Sequence, residues 1–165
     1  MSFVGRNHPQ QTRVRGALDH VDDRWTPLHL WIPWNERWAF TLDAAASADN
    51  ALCPRYFTRA DDGLAQSWAG ERVWVNPPYS AMRAWVEKAA AEAAACPVIV
   101  MLAPANRTEQ RWWQESIEPY RDRGGILTTE FLPGRINFAG PENLGAWSRT
   151  SAPFGCVLLI WTSPA

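Results

Sequence analysis

The sequence predicts an α/β fold in one domain, a mostly parallel sheet with an antiparallel C-terminal edge. Three observations lead there. β-prone runs alternate with an amphipathic helix in the middle of the chain. Residues 98–102 are apolar at every position, as in a parallel strand covered on both faces. The last third carries three β-prone runs with no helix between them. The chain has 165 residues, 47% hydrophobic and 20% charged, an ordinary composition for a folded domain. A chain of that length buries about 70% of its unfolded surface without staples.

Residues 1–24 are polar and lack hydrophobic periodicity, so they read as a flexible arm ahead of a single domain over 25–165. Thr26 is placed to cap a short helix with Pro27 as its first residue, and Pro33 is expected to end or kink it. Residues 37–42 alternate as a strand ending in Asp43, followed by Ala44, Ala45, Ala46 and Ser47. An acid opening into small side chains makes a ligand-facing turn, because a ligand can then approach the backbone. Residues 72–75 form the next strand and deliver Asn76 to its carboxyl end, where ligands bind in open α/β sheets. Ser80 is a natural cap for a helix whose apolar positions are Met82, Trp85, Val86, Ala89, Ala90 and Ala93, bounded by Pro97. A second helix is expected over 108–118, then strands over 126–132, 135–138 and 154–161, separated by turns at Gly134, Gly140, Pro141 and Gly145.

A net charge of -1 excludes a protein that coats nucleic acid by bulk electrostatics, so any such contact must be local. Lys88 is the sole lysine, and the remaining positive charge is arginine. The 11 tryptophans are expected mainly in the core, with one or two free to stack on a base. Cys53, Cys96 and Cys156 have no partners at metal-ligand spacing, so no metal site or disulfide is expected. The longest apolar run is too short to span a bilayer and the N-terminus has no apolar signal segment, which leads to the expectation of a cytoplasmic protein without membrane partners.

The sharpest chemical signal is Asn76-Pro77-Pro78-Tyr79 at a strand end. The lone pair of an exocyclic aromatic amine is delocalised into its ring, so a methylating site must favour the pyramidal nitrogen. Two acceptors can do so. The Asn76 side-chain oxygen and the Pro77 carbonyl could each take one N–H at about 2.7–3.2 Å, leaving the lone pair aimed at an electrophilic methyl. The prolines stiffen the turn. Tyr79 offers a ring for an extruded base.

From Trp25 to Trp161 the chain resembles the phage-type DNA N6-adenine methyltransferases. The similarity is carried by Trp25-Thr26-Pro27, by residues 40–47 and 50–57, by Asp61-Asp62-Gly63-Leu64, by Trp68, Trp85 and residues 73–79, and by residues 134–138 and 152–154. The resemblance implies a Rossmann-like class I fold with S-adenosylmethionine across the strand ends, and DNA as partner. It places Asp43, beside Ala44 and Ala45, at the cofactor's methionine ammonium or ribose. Asp62, with Asp61 as the competing choice, would accept from the cofactor adenine. Trp25, Thr26 and Pro27 form a cofactor-side helix start, and Asn50, Gly63 and Leu64 belong to the same cofactor segments.

No F-x-G-x-G follows the first strand, and Asp43 and Asn76 stand too close for three strands with full helices, so one crossover must be shortened or replaced by the loop over 50–68. Arg107 and Arg135 are candidate phosphate contacts, with Arg55, Arg59 and Arg111 behind them. The competing readings are cytosine N4, guanine in ribosomal RNA or protein glutamine as acceptor, and a silent DNA- or cofactor-binding module.

Overall fold

The computed structural model describes residues 24–138, 152 and 154–163. The expected arm lies outside these residues except for Arg24, as do Gly140, Pro141 and Gly145. In chain order the elements are α1 (Leu28–Trp38), β1 (Leu42–Asp43), β2 (Arg55–Tyr56), β3 (Arg72–Val75), a 3-10 turn (Tyr79–Ala81), α2 (Met82–Glu92), β4 (Val98–Pro104), α3 (Arg111–Ser116), β5 (Leu127–Phe131) and β6 (Cys156–Thr162). The strands form one sheet in the order β2-β1-β3-β4-β6-β5. The first four in that order run parallel, while β6 runs antiparallel to both of its neighbours. The α/β architecture is therefore as expected, with the reversed strand one place in from the C-terminal edge.

Strand β4 is buried along its whole length because helices cover both faces. Val73, Val75, Ile99 and Met101 point into a core under α2 and α3, while Trp74, Val98, Val100 and Leu102 point into a second core under α1. The two-residue side-chain period of the strands sorts them between the faces. Register then fixes the active rim: Val75 lies beside Met101, so Asn76 leaves the sheet while β4 still continues at its side.

Several local expectations change. Residues 37–42 are not a strand, because α1 runs through Pro33 to Trp38 and only Leu42 and Asp43 pair. A proline inside a helix costs about 3 kcal/mol. Here that cost is offset by burial of Trp34 and Trp38, Trp34 stacking on Trp74 with ring centroids 5.4 Å apart. The helix stops where Ala39 turns left-handed (φ 50°) and the Asn35 side chain accepts the Phe40 N–H at 2.9 Å. Thr26 is not the N-cap; the Pro27 carbonyl receives the Leu30 and Trp31 amides and Leu28 is the first helical residue. Ser80 lies within the 3-10 turn, so α2 starts at Met82. The expected helix over 108–118 shortens to α3. Residues 135–138 form no strand, although the Ile136 carbonyl accepts the Ala152 amide at 3.0 Å.

The compressed crossover is the feature that matters for the site. Between β1 and β3 the chain inserts β2 and turns but no helix. The carboxyl ends of β1 and β3 are consequently walled by loops.

Candidate active site

A cleft of about 660 Å³ opens at those strand ends. Its walls include Asp43 to Ser47, Asn50, Phe57 to Arg59, Asp62 to Leu64, Asn76 and the N-terminal stretch Arg24 to Thr26, with Trp85 contributed by α2. Small side chains leave the room: Ala44, Ala45 and Ala46 follow Asp43 along the wall. Gly63 closes the opposite side, and a β-carbon there would stand 2.2 Å from the Ala44 carbonyl oxygen. Only glycine allows the two loops to approach so closely. The fully buried Trp68 anchors this loop, donating its indole N–H to the Gly63 carbonyl at 2.9 Å and stacking on Trp85.

Asp43 is buried at the foot of the cleft, and its carboxylate accepts the Leu52 amide at 3.1 Å and the Ala45 amide at 3.4 Å. Burial outweighs these bonds and raises its pKa to about 6. A buried carboxylate of this kind favours a cationic neighbour. Of the two neighbouring acids, Asp62 lines the cleft in a left-handed conformation (φ 52°). Asp61 does not line it: its carboxylate accepts the Thr58 amide and hydroxyl at 2.8 and 2.7 Å, which also lowers its pKa. Asn50 lines the cleft while its side-chain oxygen closes the turn by accepting the Ser47 amide at 2.7 Å. Pro27 lies outside the lining, its carbonyl spent on the first turn of α1.

The Asn76 amide group has a determined orientation. Its nitrogen donates to the Arg24 carbonyl at 2.5 Å and to the Thr26 hydroxyl at 3.1 Å. A carbonyl can only accept, so the nitrogen must face it and the oxygen must face away. That oxygen is buried and has no hydrogen-bond partner among the described residues. An unpaired buried acceptor costs about 1–3 kcal/mol, a penalty that a donor on a ligand would relieve. The adjoining Pro78 carbonyl is taken by the Ala81 amide at 3.0 Å, whereas Pro77 is buried at the head of the turn.

Tyr79 turns away from the cleft. Its ring packs near Phe154 and Phe138, with centroids 5.8 and 6.4 Å away. Its hydroxyl is buried beside the Cys156 thiol without a hydrogen bond of good geometry, and burial, with that thiol second, holds the phenol well above its usual pKa. The Arg24 guanidinium sits over all three rings, 5.3 Å from Tyr79, 5.7 Å from Phe138 and 5.0 Å from Phe154.

A loop-walled cleft that holds an unpaired asparagine acceptor thus shares Arg24 with an aromatic box. The model of the family described as DNA N-6-adenine-methyltransferase (Dam) matches residues 16–164. The chain belongs to that family. It is 34% identical over 101 residues to the DNA N-6-adenine-methyltransferase of Escherichia phage T1, a match covering 59% of this chain and 42% of the phage protein. It is also 37% identical over 71 residues to YfdM of Escherichia coli (strain K12), provisionally named a methyltransferase, across 38% of this chain and 77% of that protein. The chain thus spans less than half the length of the T1 relative.

In this Dam-family chain the arginines divide by surroundings. Arg107 is exposed beyond the end of β4 and Arg135 is exposed next to Gly134. Arg55 and Arg111 are held by Glu71 and Glu115, whereas Arg59 lines the cleft. The sequence did not single out Arg24 and Phe57, which line the cleft, or Phe138 and Phe154, which flank the Arg24 guanidinium. The three phenylalanines fall inside the family segments, which was the available signal. No helix among the described residues is long and apolar enough to cross a membrane, and no three of their His, Cys, Asp or Glu side chains gather as a metal site.

Proposed function

We propose that this protein is an S-adenosylmethionine-dependent DNA methyltransferase that acts on N6 of an adenine extruded from its strand. The unpaired, buried Asn76 oxygen carries the reading, because it is an acceptor held in place with nothing to accept. When bound, S-adenosylmethionine supplies an electrophilic methyl group on a sulfonium. Cleft size, the small residues after Asp43 and the acid itself suit a cofactor with a cationic amino-acid end. Asp43 would face the methionine ammonium or ribose and Asp62 the cofactor's adenine. Trp25, Thr26, Asn50, Gly63 and Leu64 complete the enclosure.

The chain's own part in the reaction is orientation. The Asn76 oxygen accepts one N6 hydrogen and the Pro77 carbonyl the other, which holds the nitrogen pyramidal with its lone pair outward. After transfer the nitrogen carries an extra, strongly acidic proton that leaves to solvent, so no general base is required. Arg107 and Arg135 are the proposed phosphate contacts.

The reading is tested by incubating DNA with the protein and isotopically labelled cofactor, then analysing the nucleosides by mass spectrometry. Labelled N6-methyladenine is expected. Label in N4-methylcytosine instead, or in no nucleoside, would overturn the assignment. Asn76→Ala is expected to reduce turnover by at least about 100-fold, the scale of losing an oriented transition-state partner, with cofactor affinity nearly unchanged.

A further inference from the structure

The cleft wall at Gly63 is wedged between the end of β1 and α2, since a β-carbon there would stand 2.2 Å from the Ala44 carbonyl oxygen and 3.2 Å from the Trp85 ring. From outside it is held by Trp68, whose indole N–H reaches back to the Gly63 carbonyl. An indole nitrogen can only donate, so the pose of that ring sets the place of Gly63. Trp68 is in turn gripped by one turn of α2. Its amide donates to the Glu92 carboxylate at 3.1 Å, and the other carboxylate oxygen takes the Lys88 ammonium at 2.6 Å. The same ammonium stands 5.5 Å from the centroid of a Trp68 ring. None of Trp68, Lys88 and Glu92 lines the cleft. We infer that Glu92, with Lys88 beside it, is a positioning residue for the cofactor: it holds Trp68, and Trp68 holds the Gly63 wall against which the cofactor lies. The inference rests on the proposed cofactor reading and extends it to residues outside the cleft.

Three observations support it. An ion pair one turn apart on an exposed helix face contributes little. The Lys88–Glu92 pair differs, because only 16% of each side chain is exposed and each partner engages Trp68 as well as the other. Burial raises the Glu92 pKa, but the bonds from Lys88 and from the Trp68 amide outweigh it and leave the pKa below the usual carboxylate value, so the acid is charged where it meets the amide. The Trp68 carbonyl is also occupied, by the Cys96 thiol at 3.1 Å and the Glu71 amide at 3.0 Å, so both sides of its backbone are fixed and the ring has a defined origin. Finally, α2 follows directly on the turn that carries Asn76, and Ser80, Ala81 and Trp85 line the cleft along that path. The Gly63 wall is thereby referred to the same helix as the turn that would hold the amine, and both halves of the site share one frame.

The test measures S-adenosylhomocysteine binding to the full chain by calorimetry. Glu92→Gln leaves one oxygen for two donors and is expected to weaken binding at least about fivefold, the scale of one lost hydrogen bond. Lys88→Met keeps the stem along the ring and the carboxylate on the amide, and should weaken it by only about twofold. Trp68→Phe removes the indole N–H and should weaken it at least about fivefold. Adding Glu92→Gln to Trp68→Phe should then cost no more than about a further twofold, because its effect travels through the missing N–H. A role in fold stability alone would add in full. A second readout needs neither ligand nor Trp68→Phe. In the 15N-labelled free protein the Trp68 indole proton, assigned through its own backbone amide, should exchange with solvent at least about tenfold faster in Glu92→Gln than in the parent. The Trp113 indole proton, bonded to Glu118, serves as the unchanged reference. Near-parental affinity in Glu92→Gln, full additivity in the double variant, or equal acceleration of both indole protons would overturn the inference and leave the cofactor reading standing. A parent that does not bind S-adenosylhomocysteine would overturn the cofactor reading and the positioning role together.

Discussion

Asn76, the proposed substrate contact, shows how an amide side chain acquires its direction. An isolated asparagine amide can present either end to a substrate; here two acceptors fifty and more positions upstream decide between them. Thr26, an expected cofactor contact, also lines the cleft, and its hydroxyl is one of those acceptors. Thr26→Val keeps the shape and removes the acceptor. It is expected to lower kcat about 10-fold while KM for the cofactor stays within twofold, the scale of one weakened hydrogen bond at a polar group. Thr26→Ser should restore most of the rate. Steady-state kinetics separates this positioning role from a cofactor role, which would raise KM instead. The place of Asn76 at the end of β3 was legible in the sequence because the motif directly follows a short apolar strand. The cluster of Tyr79, Phe138 and Phe154 was not, because Phe138 and Phe154 come from separate segments that the β5–β6 pairing and the bonds from Leu132 to Cys156 and from Ala152 to Ile136 bring together.

At the scale of elements, the loops between β1 and β3 replace helices and form the cleft walls. Their closest approach is Gly63 against the Ala44 carbonyl. In Gly63→Ala the added carbon must push one loop away by close to a full atom contact. Overpacking of this kind costs about 1–3 kcal/mol. We expect S-adenosylhomocysteine affinity to fall at least tenfold by calorimetry, with the sheet intact by circular dichroism. Unchanged affinity would show that the Gly63 wall does not enclose the ligand. The shortened crossover was readable from the spacing of Asp43 and Asn76. By contrast, alternation over 37–42 pointed to a strand, and the structure continues α1 instead. Six residues of mixed polarity fit both periods, and burial of Trp34 and Trp38 on one helical face decides between them. The runs over 126–132 and 154–161 read correctly as strands, β5 and β6, because residues prone to extended structure dominate both.

For the whole molecule, Asp43 links fold stability to pH. Its folded pKa of about 6 lies above the ordinary 3.8, so the folded state holds the proton more tightly than the unfolded chain. The contribution to stability is therefore full below pH 3.8 and lost as pH rises through 6. In total it amounts to about 3 kcal/mol, of which roughly 1 kcal/mol is lost between pH 5 and 7. Urea unfolding of the ligand-free protein should show that fall, and Asp43→Asn should flatten it. A slope that persists in Asp43→Asn would place the titration elsewhere. A bound ammonium would favour the ionised acid, so S-adenosylhomocysteine should bind more tightly above pH 6 than below it, and that preference should also vanish in Asp43→Asn.

The bond from Asn76 to the Arg24 carbonyl has a topological consequence. It spans 52 positions, and the loop it closes contains α1, β1, β2, β3 and nearly every wall of the cleft. Closing such a loop in a free chain costs roughly 3–4 kcal/mol of entropy by ideal-chain scaling. Most of that closure is already complete once Leu42 lies beside Val73, leaving only the short span from Arg24 to β1 to be gathered. The bond is thus a clasp on a bag already drawn shut, and breaking it leaves the pairing of the sheet behind it in place.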